Sequence, residues 1–434
     1  MKHTLDLSSS IEYQSGNPVD CYAGWSEHRS GEDRLLLVDF ELEAHWLKDA
    51  PSIPLTAIYL ESDQESSVSV TDGALVSSDL SVVDQYIQWT DDYKMVRYSP
   101  GSPIKLQPLD IPKPWGREIW FTGLEERGVC SFSQGGLATP IPWLQAVTSG
   151  ESLGEVSRAL VLLKILDPVA EPVVGDLYFE LHEEKQEVYV VTHVDKRCWP
   201  EGVGYIRMGF DPEIVDSFGG DIKAFKQAYL RVVEDYETIR REIDCRSPGS
   251  AIPPELEDRE CELRSQVDSF SLLKPLVVGD VVKVPLLTPH SLQHGVRTVE
   301  FQTPVYERKI LSFAQQVLTQ NHWDTKEAVD IMVLEPPPED DFALLEDGPG
   351  ILVERIVNFS DFEVHRIILS KGASMTVPAL KSYALVMVVE GVLALGSSEF
   401  GPENALILPV GWSGDLTLAQ PEFAGVLLLA IPRY

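Results

Sequence analysis

The stretch from Leu286 to Arg308 reads LLTPHSLQHGVRTVEFQTPVYER and contains the features that decide the fold. It places His290 and His294 four residues apart, in a turn marked by proline and glycine. A strand-like alternating run follows, and the stretch ends on a lone arginine. Imidazoles in a turn between two apolar runs are typical of a metal site on a β-barrel. Such a site needs further ligands from elsewhere in the chain.

A second stretch, LYFELHEEKQEVYVVTHVD at residues 177–195, can supply them. Because residues two apart in a strand share a face, Glu180 and His182 point to the same side. A tight turn then leads to a second strand that begins at Glu187. Together with His290, these residues offer two imidazoles and two carboxylates, a donor set that Zn, Fe(II), Mn or Ni can use. Taken alone, however, the HEEKQE segment is also typical of a solvated hairpin tip.

The pattern of apolar residues along the chain predicts a mainly β protein with a helical insertion. Short strand-like runs with turn signals fill the first part, and an amphipathic helix and a second helix occupy about 212–270. The segment LEPPPEDDFALLEDGPG is typical of a linker, and strands resume after it. We therefore expect an N-terminal β-rich domain at 1–105, a barrel at 106–334 and a second barrel at 345–434.

The first helix of the insertion has a clear apolar stripe. Apolar residues recur every three or four positions, as on one face of an α-helix of about six turns. These positions are Ile222, Phe225, Tyr229, Val232, Tyr236, Ile239 and Ile243.

The composition excludes several classes of partner. The 434 residues include 35 Lys and Arg against 68 Asp and Glu, a net charge of −33, which repels nucleic acid and anionic membrane surfaces. We therefore expect a small-molecule ligand, no nucleic acid and no membrane. The five cysteines form no CxxC pair, and the N-terminus has no apolar signal segment. Both features are typical of a cytoplasmic protein with reduced thiols. Nothing in the sequence sets the oligomeric state.

Several blocks of the sequence, in order, resemble the cupin superfamily and, more narrowly, the type I mannose-6-phosphate isomerases. PKPWGREIW resembles the Trp-Gly block that opens the catalytic barrel of that family, and FELHEEKQEVYVV resembles its Gln-x-His block followed by Lys-x-Glu. KPLVVGDVVKVPLLTPHSL resembles the block with the second histidine, and VEFQTPVYERKIL resembles the strand that ends in a substrate-facing arginine. HWDTKEAVDIM and the strands after 350 resemble the C-terminal barrel. The resemblance covers residues 112–434.

The resemblance implies tandem cupin (jelly-roll) barrels and a metal-dependent sugar-phosphate isomerase. It would interconvert mannose 6-phosphate and fructose 6-phosphate through a cis-enediol. One divalent metal, zinc in first place, would be held by Glu180, His182, Glu187 and His290. Arg308 would act on the reacting oxygens, and Lys185 would serve as a proton relay or phosphate contact. The expected substrate contacts are Trp115, Tyr306 and His294.

Two positions depart from the family pattern. Glu180 stands where the family has a glutamine ligand, which makes the site one charge more negative, and Leu287 stands where the family has a glycine. The alternatives are therefore a non-catalytic cupin that binds a metal or a sugar, and a cupin enzyme of other chemistry.

Overall fold

The structure of the chain, a computed structural model, describes residues 3–4, 10–27, 31–62, 66–149, 152–246, 251–335, 337, 342–420 and 422–433. The chain forms two compact units. The site unit comprises Asp110–Ile119 and Leu163–Asp341. The second unit comprises Met1–Leu109, Trp120–Leu162 and Phe342–Tyr434. Within the described residues, no helix combines the length and the apolar character that crossing a membrane requires.

The N-terminal segment forms a four-stranded sheet with two helices. Its elements are β1 (Ile11–Ser15), α1 (Pro18–Ser26), β2 (Arg34–Glu43), β3 (Ser52–Glu61), β4 (Ser66–Thr71) and α2 (Val82–Asp92). The sheet order is β1-β2-β3-β4, and β1 runs parallel to β2. The strands agree with the β-rich prediction, but the two helices were not predicted. Asn17 caps the N-terminus of helix α1, and its side chain accepts hydrogen bonds from the first-turn amides of Val19 and Asp20.

The next segment contributes strands to both units. Its elements are β5 (Ile104–Gln107), β6 (Leu109–Lys113), β7 (Gly116–Trp120), β8 (Leu124–Glu125), β9 (Gly128–Val129), β10 (Ser131–Gln134), β11 (Leu137–Pro140) and α3 (Ile141–Val147). Strands β6 and β7 belong to a sheet of the site unit, whereas β5, β10 and β11 extend the largest sheet of the second unit. The boundary expected between residues 105 and 106 therefore falls inside β5. Residues 120–162, assigned to the first barrel from the sequence, pack in the second unit.

Two sheets build the site unit. Its further strands are β12 (Leu162–Pro168), β13 (Phe179–Leu181), β14 (Glu187–Val194), β15 (Gly204–Phe210), β16 (Ser271–Leu276), β17 (Val281–Val284), β18 (His290–Leu292), β19 (Val296–Gln302) and β20 (Lys309–Ser312). The six-stranded sheet has the order β17-β14-β19-β12-β7-β6, and the five-stranded sheet has the order β16-β15-β18-β13-β20. Both sheets contribute to one apolar core, for example through Val191, Ile206 and Leu292. This is a cupin-like arrangement.

The predicted helical insertion is confirmed. It comprises α4 (Pro212–Ser217), α5 (Ile222–Asp244) and α6 (Pro254–Asp268), and a short helix α7 (Thr325–Ile331) follows the strands. The stripe of α5 packs on the core of the site unit through Phe225, Tyr229 and Tyr236. Ile222 is an exception, because it lies in the first turn of the helix and is 55% exposed.

The described residues of the C-terminal segment form strands joined by turns, with no helix. It contains β21 (Ala343–Gly348), β22 (Ile351–Asn358), β23 (Phe362–Leu369), β24 (Ser374–Val377), β25 (Ala384–Glu390), β26 (Leu393–Leu395), β27 (Ser398–Phe400), β28 (Ala405–Leu408), β29 (Gly414–Leu418) and β30 (Gly425–Pro432). The nine-stranded sheet has the order β11-β10-β5-β28-β25-β30-β23-β22-β21, and β24-β29-β26-β27 form a four-stranded sheet. The predicted linker is wrong at its C-terminal end, because residues 343–348 pair with β22. Residues 336 and 338–341 of that linker lie outside the described part.

Candidate metal centre

Sheet pairing brings the predicted ligands together. Glu180 lies in β13, His182 follows that strand directly, and His290 is the first residue of β18. Glu180 and His290 are cross-strand partners. Both imidazoles are buried, at 1% and 2% exposure. Residues distant in sequence thus share one interior location.

Three of these residues form a group of close donor atoms. Glu180, His182 and His290 each offer one ligand atom, and these atoms lie within 4.8 Å of one another. The buried atoms Glu180 Oε2, His182 Nε2 and His290 Nε2 have no hydrogen-bond partner. Buried polar atoms are normally hydrogen-bonded, so an unpartnered atom on each of the three clustered residues points to a site for a shared ligand. The residues present fit a divalent metal ion.

Backbone carbonyls orient both imidazoles. His182 Nδ1 lies 3.1 Å from the carbonyl oxygen of Glu307, and His290 Nδ1 lies 3.2 Å from that of Thr288. Each ring can donate its Nδ1–H to the carbonyl, which leaves the Nε2 lone pair free to face the site. Burial, and then the charge of Lys185, lower the pKa of His182. The ring is therefore neutral at pH 7, as a metal ligand must be.

Glu187 lies beside both imidazoles but has other partners. Its Oε1 is 3.5 Å from His182 Nε2, and its Oε2 is 3.3 Å from His290 Nε2. Lys185 Nζ lies 2.7 Å from Oε1, and the Tyr189 hydroxyl donates to Oε2 at 2.7 Å. Burial alone would raise the pKa of Glu187, but the charge of Lys185, followed by His182, brings it well below the ordinary value. Its role as a ligand stays a prediction.

The structure places both predicted catalytic cations against carboxylates. The Lys185 side chain is 9% exposed and points to Glu187, so it does not lie on a solvated hairpin tip. Arg308 Nη1 lies 3.6 Å from Glu180 Oε2. Burial would raise the pKa of Glu180, but positive charges, that of Arg308 foremost, lower it. Glu180 is therefore ionised at pH 7.

The predicted substrate residues are spread out. Trp115 is 1% exposed and belongs to the apolar core. Tyr306 is 45% exposed. His294 lies outside the donor group, because its Nδ1 is 2.7 Å from Asp176 Oδ1 and its ring stacks on Trp199. The substrate roles of all three stay predictions.

A buried row of charged side chains, not predicted from the sequence, lies beside this group. Lys164 Nζ lies 3.3 Å from Glu300 Oε2 and 3.9 Å from Glu118 Oε2. Glu300 of β19 is the cross-strand partner of Tyr189, and so shares its face. Burial, and then the negative charge of Glu187, raise the pKa of Glu300 well above its ordinary value despite the opposing charge of Lys164.

The sequence signal for this row of charged side chains is the polar face of β19. Thr298, Glu300 and Gln302 alternate with apolar residues, and all three are at most 1% exposed. Thr298 Oγ1 and Gln302 Oε1 are buried without a hydrogen-bond partner, whereas Glu300 Oε2 faces Lys164 Nζ. In a strand with this alternation the polar face usually faces solvent. The pattern alone therefore did not identify the polar face of β19 as the buried one.

Comparison with known proteins supports the fold. No protein-family model matches the sequence, and no curated protein matches it. The mannose 6-phosphate isomerase of Bacillus subtilis superimposes with a TM-score of 0.54 at 14% identity, over 76% of this chain and 99% of that one. The chain has the fold of these isomerases.

Two further solved structures give the same result. A variant of the phosphomannose isomerase of Salmonella typhimurium has a TM-score of 0.54 at 14% identity, over 77% of this chain and 100% of that one. A zinc-bound mannose 6-phosphate isomerase has a TM-score of 0.55 at 14% identity, with the same coverage. The prediction of a mainly β fold is confirmed, and its sheets are consistent with a cupin-like fold.

Proposed function

We propose that this chain is a metal-dependent sugar-phosphate isomerase that interconverts mannose 6-phosphate and fructose 6-phosphate. The observation that carries the proposal is the convergence of Glu180, His182 and His290, each with an unpartnered buried donor atom. The similarity of the fold to mannose 6-phosphate isomerases supports the same reaction class. We also propose that the chain contains two tandem cupin barrels, binds a small-molecule sugar phosphate and functions in the cytoplasm.

The proposed metal is one zinc ion per chain. Its ligands would be Glu180, His182, Glu187 and His290, two imidazoles and two carboxylates as borderline metals prefer. Lys185 holds one of the carboxylates and Arg308 lies beside the other. When bound, the metal would supply Lewis-acid polarisation of the carbonyl and hydroxyl oxygens of the sugar.

The side chains of the protein would manage charge and protons during the reaction. Isomerisation moves a proton between C1 and C2 through a cis-enediol, so negative charge develops on two neighbouring oxygens. The guanidinium of Arg308 is planar and permanently positive, and it can stabilise the negative charge on these oxygens. Lys185 would pass a proton within the site, and its contact with Glu187 supports this role. Tyr306 would contact substrate from the exposed side, and Trp115 and His294 would support the pocket.

A coupled assay tests the proposal. Purified protein is supplied with mannose 6-phosphate, and formation of fructose 6-phosphate is followed before chelation, after chelation and after adding back zinc. Activity that disappears with the metal and returns with it is expected. Protein that binds zinc but turns over neither sugar phosphate contradicts the proposed reaction and favours a non-catalytic binding protein.

A further inference from the structure

Three partners fix the guanidinium of Arg308 beside Glu180. Its carbon lies 4.4 Å from the centre of the Tyr178 ring. Its Nη2 donates to Thr319 Oγ1 at 2.8 Å, and its Nη1 lies 3.6 Å from Glu180 Oε2. A group held on several sides has little freedom to move to another partner. Its positive charge therefore stays next to the carboxylate.

The arginine supplies charge without occupying the donor atom. The distance of 3.6 Å is that of an ion pair and exceeds an ordinary hydrogen bond. Glu180 Oε2 accordingly remains without a hydrogen-bond partner. The side chains of Arg308 and Glu180 are only 23% and 16% exposed, so solvent screens the charges less than at the surface.

We propose that Arg308 is the counter-charge of Glu180 and thereby sets the affinity of the site for divalent cations. This inference rests on the proposed function, because it takes Glu180, His182 and His290 as the metal site. The attraction of the carboxylate and the repulsion of the guanidinium largely cancel, so the pair acts on a cation much as a neutral ligand does. Here Arg308 is a positioning residue, in addition to any contact with substrate.

The second carboxylate of the site has the same arrangement. Lys185 Nζ lies 2.7 Å from Glu187 Oε1. Glu180 and Glu187, the two carboxylates proposed as ligands, are thus each paired with a cation. Two such pairs offset the negative charge of both proposed carboxylate ligands, inside a chain whose net charge is −33.

Zinc titration of metal-depleted protein by calorimetry, at one pH and ionic strength, tests the counter-charge. Arg308→Gln is expected to bind zinc about tenfold more tightly, because a positive charge near a doubly charged ion is removed. Arg308→Lys retains the charge and is expected to keep the affinity of the unmodified chain. Glu180→Gln should bind about tenfold more weakly, and the double variant Glu180→Gln/Arg308→Gln should return to within about threefold of the unmodified chain.

Arg264→Gln is the matched control. Arg264 Nε lies 3.3 Å from Glu260 Oε1 on α6, and these side chains are 21% and 12% exposed, close to the values of the tested pair. Its removal should leave the zinc affinity unchanged. If the affinity of Arg308→Gln equals or falls below that of the unmodified chain, the proposal is overturned.

Two further outcomes keep the test decisive. If Arg308→Gln does not fold, the comparison passes to Glu180→Gln and the double variant, and the proposal requires tighter binding by the double variant. If the unmodified chain binds no zinc at all, the proposed function itself fails, which separates that failure from an error about Arg308.

Discussion

Glu180 of β13 and His290 of β18 are direct cross-strand partners. Opposite residues on antiparallel strands point to the same side of the sheet. The carboxylate of Glu180 and the imidazole of His290 therefore extend from the same face. On its other side, β18 pairs with β15, where Met208 is the partner of His290. A shift of β18 by one residue would turn the imidazole to the opposite face. Pairing on both sides therefore fixes the geometry of the donors.

Metal content should depend on the two buried imidazoles. Protein purified without added metal is expected to contain close to one equivalent of zinc by elemental analysis. His182→Ala and His290→Ala each remove a donor and should reduce this content at least tenfold. His294→Ala should retain the metal, since Asp176 holds that ring outside the donor group. Loss of zinc from all three variants alike would contradict this assignment.

His182 should make the metal-free protein less stable as the pH falls through the usual range of histidine. Because burial and the charge of Lys185 lower the pKa of His182, the unfolded chain binds a proton near pH 6.5 on this residue that the folded chain does not. The contribution of His182 to the free energy of unfolding should therefore decrease from about pH 7 to about pH 5, while the raised pKa of Glu300 acts in the opposite sense in every variant. Urea titrations with chelator present should show a smaller decrease for His182→Gln. His322→Gln, whose side chain is 65% exposed, should behave as the unmodified chain does.

The stripe of helix α5 gives a stability prediction. Phe225 is fully buried against the core of the site unit, whereas Ile222 of the same predicted stripe is 55% exposed. Phe225→Ala should lower the free energy of unfolding by about 3–5 kcal/mol. Ile222→Ala should change it by less than about 1 kcal/mol. Equal effects in denaturant unfolding would show that the helix does not pack as described.

The structure groups Glu180, His182 and His290 as the sequence predicted, whereas the boundary expected after residue 105 falls inside β5. Strand periodicity and a Pro-His turn are local patterns, and the family resemblance linked the two segments that carry them. The interior position of Glu300 was not, because alternation shows that two faces differ without showing which one is buried. The membership of β5 and β10 in the largest sheet depends on pairing with strands nearly 300 residues later, such as β28. Local propensity contains no information about such long-range partners.

Lys185 should be required for turnover and dispensable for metal binding. Lys185→Met removes the cation that lies 2.7 Å from Glu187 Oε1 and with it the proposed proton carrier. We expect kcat for mannose 6-phosphate to fall about 100-fold or more, the size of effect seen for general acid–base groups. Zinc content should persist. Lys309→Met is the control. Lys309 Nζ pairs with the half-exposed Glu183, so this substitution should leave kcat unchanged.

Arg308 should act through the geometry of its guanidinium as well as through its charge. Arg308→Lys keeps a positive charge beside Glu180 but loses the planar fork that stacks on Tyr178 and donates to Thr319. If the fork stabilises the enediolate, kcat should fall strongly while zinc content stays unchanged. A rise of KM at constant kcat would instead indicate that Arg308 binds the phosphate of the ground state. Kinetics identical to those of the unmodified chain would remove Arg308 from the catalytic residues. We expect the fall in kcat, because Arg308 lies beside a donor of the metal group, where charge would develop on the reacting oxygens.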